Sequence, residues 1–243
     1  MNQAAATQPT EARLLDSAFM MRVFYVFGAL ALLSVAISLG GKWFGKTIAM
    51  AGHTDDPTVH EIVIGNNVIA APANTIRFER SRRSGVADRL DLYLRWPDMK
   101  GYTAATRNDF NHAGDRRSIL FLSFEPRMMS RDMSGRFAPI YRSLIVPVGD
   151  PGPGGMTFHA FTEKSGYANE ILAVAERPGD TPFVARCLTG QSARESLAPC
   201  ERDIQIGDEL SLTYRFPREM LGDWRRLEAA VTTAAVGFLQ TGR

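Results

Sequence analysis

A continuous apolar run occupies residues 23–41, between Arg22 and Lys42, and contains no charged residue. A helix of this length measures about 28 Å at about 1.5 Å per residue, which is close to the hydrocarbon thickness of a bilayer. Trp43 and Phe44 follow Lys42, at a depth where aromatic side chains favour the membrane interface. The pattern therefore predicts one transmembrane helix over residues 23–41.

The flanks of this helix argue against removal of a signal peptide. The leader carries Glu11 and Asp16 among its basic residues, whereas a signal peptide begins with a basic segment. The nearest small-x-small site, residues 49–51, lies well past the apolar run and beyond Lys46. We interpret the helix as an uncleaved signal anchor.

Beyond residue 58 the pattern changes to short segments in which apolar and polar residues alternate, as they do in half-buried strands. Residues 59–65 and 66–72 are joined by Gly-Asn-Asn, which is good turn chemistry and predicts a hairpin. Residues 118–125 are nearly all apolar, which is typical of a central strand covered on both faces. Further strands are predicted in these segments: 89–96, 142–148, 156–162, 169–176, 181–188, 203–207 and 210–216.

Two of these strands end in the same way. Residues 90–97 (LDLYLRWP) and 210–217 (LSLTYRFP) both place leucines on one face and close on Arg, an aromatic residue and Pro. Proline cannot donate to a strand ladder, so it ends each strand. The match does not extend beyond this window, which argues against a duplicated half-domain and leaves the outward-facing Arg95 and Arg215 as candidates for binding.

The chain ends in an amphipathic helix. Pro217 suits its first turn, and apolar residues then recur at intervals of three and four through Met220, Trp224, Leu227, Val231, Ala234 and Phe238. We expect this helix to pack on its own sheet, although such a helix can also bind the groove of a partner. Residues 127–142 fit either a short helix or a surface loop. The predicted fold class is α+β, a mainly antiparallel sheet domain behind one transmembrane helix.

The charges beside the apolar helix do not decide its orientation, because basic residues flank both ends. Cys187 and Cys200 could close a disulfide loop worth about 3 kcal/mol, and disulfides persist outside the cytosol; two unpaired thiols are the alternative. We therefore predict a cytoplasmic N-terminus at residues 1–22, the membrane helix, a linker at residues 42–58 and a periplasmic domain at residues 59–243. The predicted location is the bacterial inner membrane, with a single pass.

Composition and motifs exclude some functions without selecting one. A formal net charge of +2 does not call for nucleic acid as a partner. None of the four histidines is paired at helical metal-ligand spacing, and G-x-S-x-G is absent. The glycines of residues 149–155 do not lead from a strand into a helix, so a phosphate cradle is unsupported and the segment is predicted to be a mobile loop. No catalytic residue, metal ligand or cofactor is predicted.

The densest group of charges lies in residues 77–85 (RFERSRRSG). Near a membrane, such a group could contact anionic lipid headgroups or an acidic envelope polymer. The plainer interpretation is a solvated loop between strands. With the two arginines that end strands, the candidates for contact with an anion or a partner are Arg77, Arg80, Arg82, Arg83, Arg95 and Arg215.

Two short runs, NNVIAAPANTIRF and LYLRWPDMKGYT, resemble a group of uncharacterised proteobacterial proteins with one N-terminal membrane span. The matching positions are Pro72, Asn74, Trp96, Pro97, Asp98 and Tyr102. The resemblance covers about fifty residues. It implies an inner-membrane location and brings no activity or site residue with it.

The leading hypothesis is a single-pass inner-membrane protein with a non-catalytic periplasmic domain, which serves as an interaction or scaffold module in envelope assembly. Its expected partners are the membrane and other envelope proteins. Two alternatives stay open from the sequence. One is an envelope enzyme acting on peptidoglycan or a glycan, and the other is a periplasmic immunity or inhibitor protein.

Overall fold

The computed structural model describes residues 17–50, 52–112 and 117–240. The chain divides into two compact units, residues 1–49 and residues 50–243. The first unit contains helix α1 (Ser17–Met50). Its most apolar part, Ala18–Ser38, has a mean hydropathy of 2.0, and none of it is buried. This helix is long and apolar enough to cross a membrane. It also continues through residues 42–50, which the sequence had assigned to a linker.

The second unit confirms the predicted α+β class. Its first sheet has three strands in the order β2-β1-β3: β1 (Val59–Ile64), β2 (Asn67–Pro72) and β3 (Gly85–Val86). β1 and β2 form the predicted antiparallel hairpin, and β3 runs parallel to β1.

The second sheet has eight strands and is antiparallel throughout. Their order is β4-β5-β11-β10-β9-β8-β7-β6. The strands are β4 (Leu90–Arg95), β5 (Ile119–Pro126), β6 (Asp150–Pro151), β7 (Thr157–Ala160), β8 (Glu170–Ala175), β9 (Phe183–Leu188), β10 (Cys200–Ile206) and β11 (Leu210–Phe216). The short helices are α2 (Arg107–Phe110), α3 (Arg142–Leu144) and α4 (Gly190–Glu195), and the long C-terminal helix is α5 (Trp224–Phe238).

The two strands with matching sequences, β4 and β11, lie on opposite sides of β5. Leu92 is opposite Leu122 of β5, and Leu212 is opposite Phe124. The strands are therefore both neighbours of one central strand and do not pair with each other. Their leucines point to one face of the sheet, as the alternation predicted.

That face is closed by helix α5 and by the β1–β2 hairpin. Leu227, Val231 and Ala235 of α5 are fully buried against it, together with Ile62 and Ile69 of the hairpin. The segment after α5 also joins the hairpin, where the Gln240 N–H donates to the Val68 carbonyl over 2.9 Å. The apolar contacts of this face form the main core of the domain.

The glycine- and proline-rich residues 149–155 are fixed to the start of α5. The Trp224 indole N–H donates to the Gly154 carbonyl over 3.1 Å. Gly154 has a φ of +63° and packs against the carbonyls of Leu221 and Gly222, where a side chain would collide with the backbone. The prediction of a mobile loop did not anticipate these contacts.

The opposite face of the large sheet is only partly covered. Phe137, Tyr141 and Ile145 pack on the β8 and β9 end, and α2 with its flanking loop packs on the β4 and β5 end. The prediction of a strand at residues 142–148 is wrong. A π-helical turn, Phe137–Tyr141, runs into α3, and only Ile145 makes an isolated bridge to Phe161.

Candidate functional site

Between these two covered ends, the middle of the large sheet faces outward and forms a cleft of about 190 Å³. Its floor consists of outward-facing residues of β5, β9, β10 and β11, and residues 126–136 form one wall. We call it the open-face cleft. Strand alternation places Ser211 and Thr213 in it, since Leu212 between them points into the core.

Strand register arranges a row of charged residues across the floor. Arg215 of β11 lies opposite Glu201 of β10, which lies opposite Arg186 of β9. The Arg186 guanidinium bonds to the Glu201 carboxylate, lies 3.5 Å from Glu170 Oε2, and stacks 4.9 Å above the Tyr167 ring. The row therefore alternates in charge, and a charge-assisted bond holds its Glu201 to Arg186.

The acidic groups of this region are partly buried. Burial raises the pKa of Asp203, although the Arg136 guanidinium that binds it acts in the opposite direction. Burial likewise raises the pKa of Glu170, against the charge of Arg186. Burial lowers the pKa of Arg186, but the negative charges of Glu201 and Glu170 raise it by more. The net shift of this pKa is upward. The floor presents fixed, partly desolvated charges.

The wall of the cleft is held to the floor by polar contacts and carries exposed methionines. The Gln205 side-chain amide donates to the Met129 carbonyl over 3.1 Å, and Arg127 Nη1 donates to Gln205 Oε1 over 3.3 Å. Met128 is 88% exposed at the rim. Methionine is unbranched and polarisable, so it adapts its shape to many apolar surfaces and is frequent at surfaces that bind varied partners.

The chemistry of the cleft is that of paired charges. Within the described residues, no His or Cys lines the cleft. The carboxylates of Glu125, Glu201 and Asp203 each lie beside an arginine side chain. No group of three or more His, Cys, Asp or Glu side chains that could hold a metal occurs in residues 17–50, 52–112 and 117–240.

The structure separates the four clustered arginines that the sequence singled out. Arg80 and Arg83 line a second cleft, beside β3. Arg82 is turned inward and donates to the carbonyls of Ile76 and Gly52, over 3.2 and 2.7 Å. Arg77 lies 4.8 Å above the Phe121 ring of β5.

The two strand-ending arginines also differ. Arg95 Nη2 donates to Asp98 Oδ2 over 2.5 Å, and Arg95 Nη1 donates to Asp109 Oδ2 over 3.2 Å. These bonds raise the pKa of Arg95 and lower the pKa of Asp98, and they leave the guanidinium occupied. Arg215 is exposed, and no ion pair holds it within the described part of the chain. Of the pair, only Arg215 extends the charged row.

Cys187 and Cys200 form a buried disulfide and lie directly opposite each other on β9 and β10. This register sets the neighbouring pair, Arg186 opposite Glu201. Sequence reasoning missed Arg186, Glu201 and Arg136. A disulfide between two adjacent strands would have placed Arg186 opposite Glu201.

No protein-family model matches the sequence, and no curated protein is significantly similar to it. Among solved structures, an immunity protein of the Stenotrophomonas maltophilia type IV secretion system is similar, with 18% identity and a TM-score of 0.48. The alignment covers 78% of this chain and 95% of that one. The iron-regulated outer membrane lipoprotein FrpD of Neisseria meningitidis aligns with 9% identity and a TM-score of 0.39, over 76% of this chain and 97% of that one. Neither score is high enough to carry function from those proteins to this chain.

Proposed function

We propose that the protein is a single-pass inner-membrane protein whose periplasmic domain binds another envelope protein, without catalysis, through the open-face cleft. The observation that carries this proposal is the cleft itself, an uncovered stretch of sheet with paired charges beside exposed methionines. Protein interfaces combine such an apolar contact with a polar rim. Fixed ion pairs also favour one orientation of the partner over others.

The location rests on two further features. Helix α1 has the length and apolar character of a membrane anchor. The buried disulfide favours an oxidising compartment, since cytosolic thiols are kept reduced. Both features support a domain exposed in the periplasm. The ion-paired carboxylates disfavour the alternative of an envelope enzyme, while an immunity or inhibitor protein would use a protein contact of the same kind.

Site-specific cross-linking in the native host tests the proposal. Met128→p-benzoylphenylalanine places a photoreactive group on the rim of the cleft. Val148→p-benzoylphenylalanine is the matched control, because Val148 is 85% exposed and lies outside the cleft. We expect a discrete protein adduct from position 128 and none from position 148.

A blocking variant makes this test specific. Thr213→Arg fills the floor of the cleft, whereas Thr232→Arg adds the same side chain to the exposed surface of α5. The adduct should be lost with Thr213→Arg and kept with Thr232→Arg. Equal adducts from positions 128 and 148, or an adduct insensitive to Thr213→Arg, would show that the cleft is not the contact surface.

A further inference from the structure

A second cleft, of about 210 Å³, lies beside β3 and differs in charge from the first. Among the described residues, its polar lining consists of Arg80, Arg83, Arg89, Ser81 and Ser84, and it includes no acidic side chain. We call it the arginine cleft. Arginine makes bidentate hydrogen bonds to carboxylates, and serine hydroxyls can add further donors.

The charges of the arginine cleft are only partly neutralised. Arg89 is bound to Asp91 at 2.8 Å and lies 3.9 Å from Glu125. Arg80 rests 5.4 Å from the centre of the Phe78 ring, and neither it nor Arg83 has an ion-pair partner in the described part of the chain. The cleft therefore presents two free guanidinium groups to a ligand.

The same cleft borders an unpaired strand edge. β3 is the outer strand of its sheet and pairs only with β1. The Ala87 N–H donates to the Val63 carbonyl over 3.0 Å. Neighbouring residues of a strand direct their backbone groups to opposite sides, so the N–H and carbonyl of Val86 point away from β1. The Val86 side chain is 86% exposed beside them.

We propose that the arginine cleft binds an extended acidic segment of a protein partner, which pairs with Val86 as an added strand and places its carboxylates on Arg80 and Arg83. An exposed strand edge is a template for such addition, and side chains along the edge supply specificity. An anionic lipid surface would satisfy the arginines but not the backbone groups of Val86. The lining of this site shares no residue with that of the open-face cleft, so either proposal can fail without the other.

Peptide binding to the full-length protein in nanodiscs of zwitterionic phosphatidylcholine tests this site. The probe is a fluorescein-labelled peptide of alternating Glu and Val, and its binding is measured by fluorescence anisotropy. A labelled peptide of alternating Lys and Val serves for comparison. We expect the acidic peptide to bind. The double variant Arg80→Glu/Arg83→Glu should lower the affinity for this peptide on the order of tenfold, because two attractive contacts become repulsive. The control is Arg107→Glu/Arg194→Glu, which changes the net charge equally at two exposed arginines elsewhere.

A backbone variant separates strand addition from charge alone. Val86→Pro removes the outward N–H while the pairing groups of Gly85 and Ala87 stay in place. Val86→Thr keeps the N–H and serves as its control, and circular dichroism checks that both variants fold. Binding of the acidic peptide should fall with Val86→Pro and persist with Val86→Thr.

Two results would overturn the proposal. One is acidic-peptide binding that Val86→Pro leaves unchanged, since the edge would then take no part. The other is absence of peptide binding together with binding of phosphatidylglycerol vesicles that Arg80→Glu/Arg83→Glu abolishes, which would assign the cleft to lipid.

Discussion

At the scale of single residues, Asn67 joins two turns that are distant in the sequence. Its side-chain oxygen accepts from the Asp208 N–H over 2.9 Å, and its side-chain nitrogen donates to the Asp208 carbonyl over 2.6 Å. Asn67 is 1% exposed, so its side chain makes these hydrogen bonds in place of hydrogen bonds to water. The β1–β2 hairpin is thereby tied to the turn between β10 and β11.

Asn67→Ala should lower the free energy of unfolding by about 2–3 kcal/mol, because the Asp208 backbone groups lose their buried partner. Asn66→Ala is the control. Asn66 is the same residue type one position earlier, but it is exposed and makes a single bond to the Asp208 carboxylate, so its loss should cost less than about 1 kcal/mol. Urea unfolding of the detergent-solubilised protein measures both, and equal losses would contradict the role given to Asn67.

His53 provides a residue-scale prediction of pH dependence. Its ring stacks 4.9 Å from Tyr102, and its Nδ1 lies 3.1 Å from the Tyr93 hydroxyl. Burial lowers the pKa of His53, the charges of Arg82 and His112 lower it further, and a hydrogen bond with Asn111 opposes them. The folded state thus favours the neutral ring. This contribution to stability is complete above the ordinary pKa of 6.5 and is lost as the pH falls below it.

Hydrogen exchange in residues 52–58 should therefore increase between pH 7 and pH 5, after correction for the intrinsic exchange rate. His53→Phe keeps an aromatic ring in the same place but cannot be protonated, so it should remove this increase. Mass spectrometry of the corresponding peptides measures the effect. The same pH dependence in His53→Phe would rule out His53 as its source.

At the scale of secondary-structure elements, helix α5 is fixed to the sheet by a charged contact as well as by apolar packing. Glu228 accepts from Arg177 over 2.5 Å and from Arg202 over 2.8 Å. Arg202 is almost fully buried and also donates to the Val184 carbonyl over 2.8 Å. A buried guanidinium without a counter-charge is costly, so the three side chains depend on one another.

Glu228→Gln should lower the free energy of unfolding by about 3 kcal/mol, since it leaves Arg202 buried without its carboxylate. Glu219→Gln makes the same change at an exposed position just before α5 and should cost less than about 0.5 kcal/mol. Thermal unfolding followed by circular dichroism distinguishes the two. A loss below about 1 kcal/mol for Glu228→Gln would mean that packing alone holds the helix.

The same scale shows what the sequence could and could not predict. The spacing of apolar residues located most of the strands and the C-terminal helix, because an element that buries one face repeats its apolar residues at a fixed interval. It failed at residues 142–148, where apolar residues suggested a strand. Phe137, Tyr141 and Ile145 are spaced by four, as on a helix, but Pro139 obscured this pattern. The charged floor of the open-face cleft depends on which strands become neighbours, and alternation within a strand does not contain that information.

At the scale of the whole molecule, the proposed orientation can be tested directly. Alkaline phosphatase fused after Arg243 should be active, because that enzyme needs the oxidising conditions that the Cys187–Cys200 disulfide also favours. A fusion lacking residues 17–50 should be inactive, since it has no export signal. An inactive full-length fusion would place the domain in the cytoplasm.

The position of β11 in the sheet determines the order in which the strands of the domain can assemble. β11 is the last of the described strands in sequence order, yet it lies between β5 and β10 in the sheet. Strands β4 and β5 can pair early and β6 to β10 can form a meander, but these two halves have no shared edge until Leu210–Phe216 arrives. The floor of the open-face cleft is therefore complete only after β11 has joined both halves.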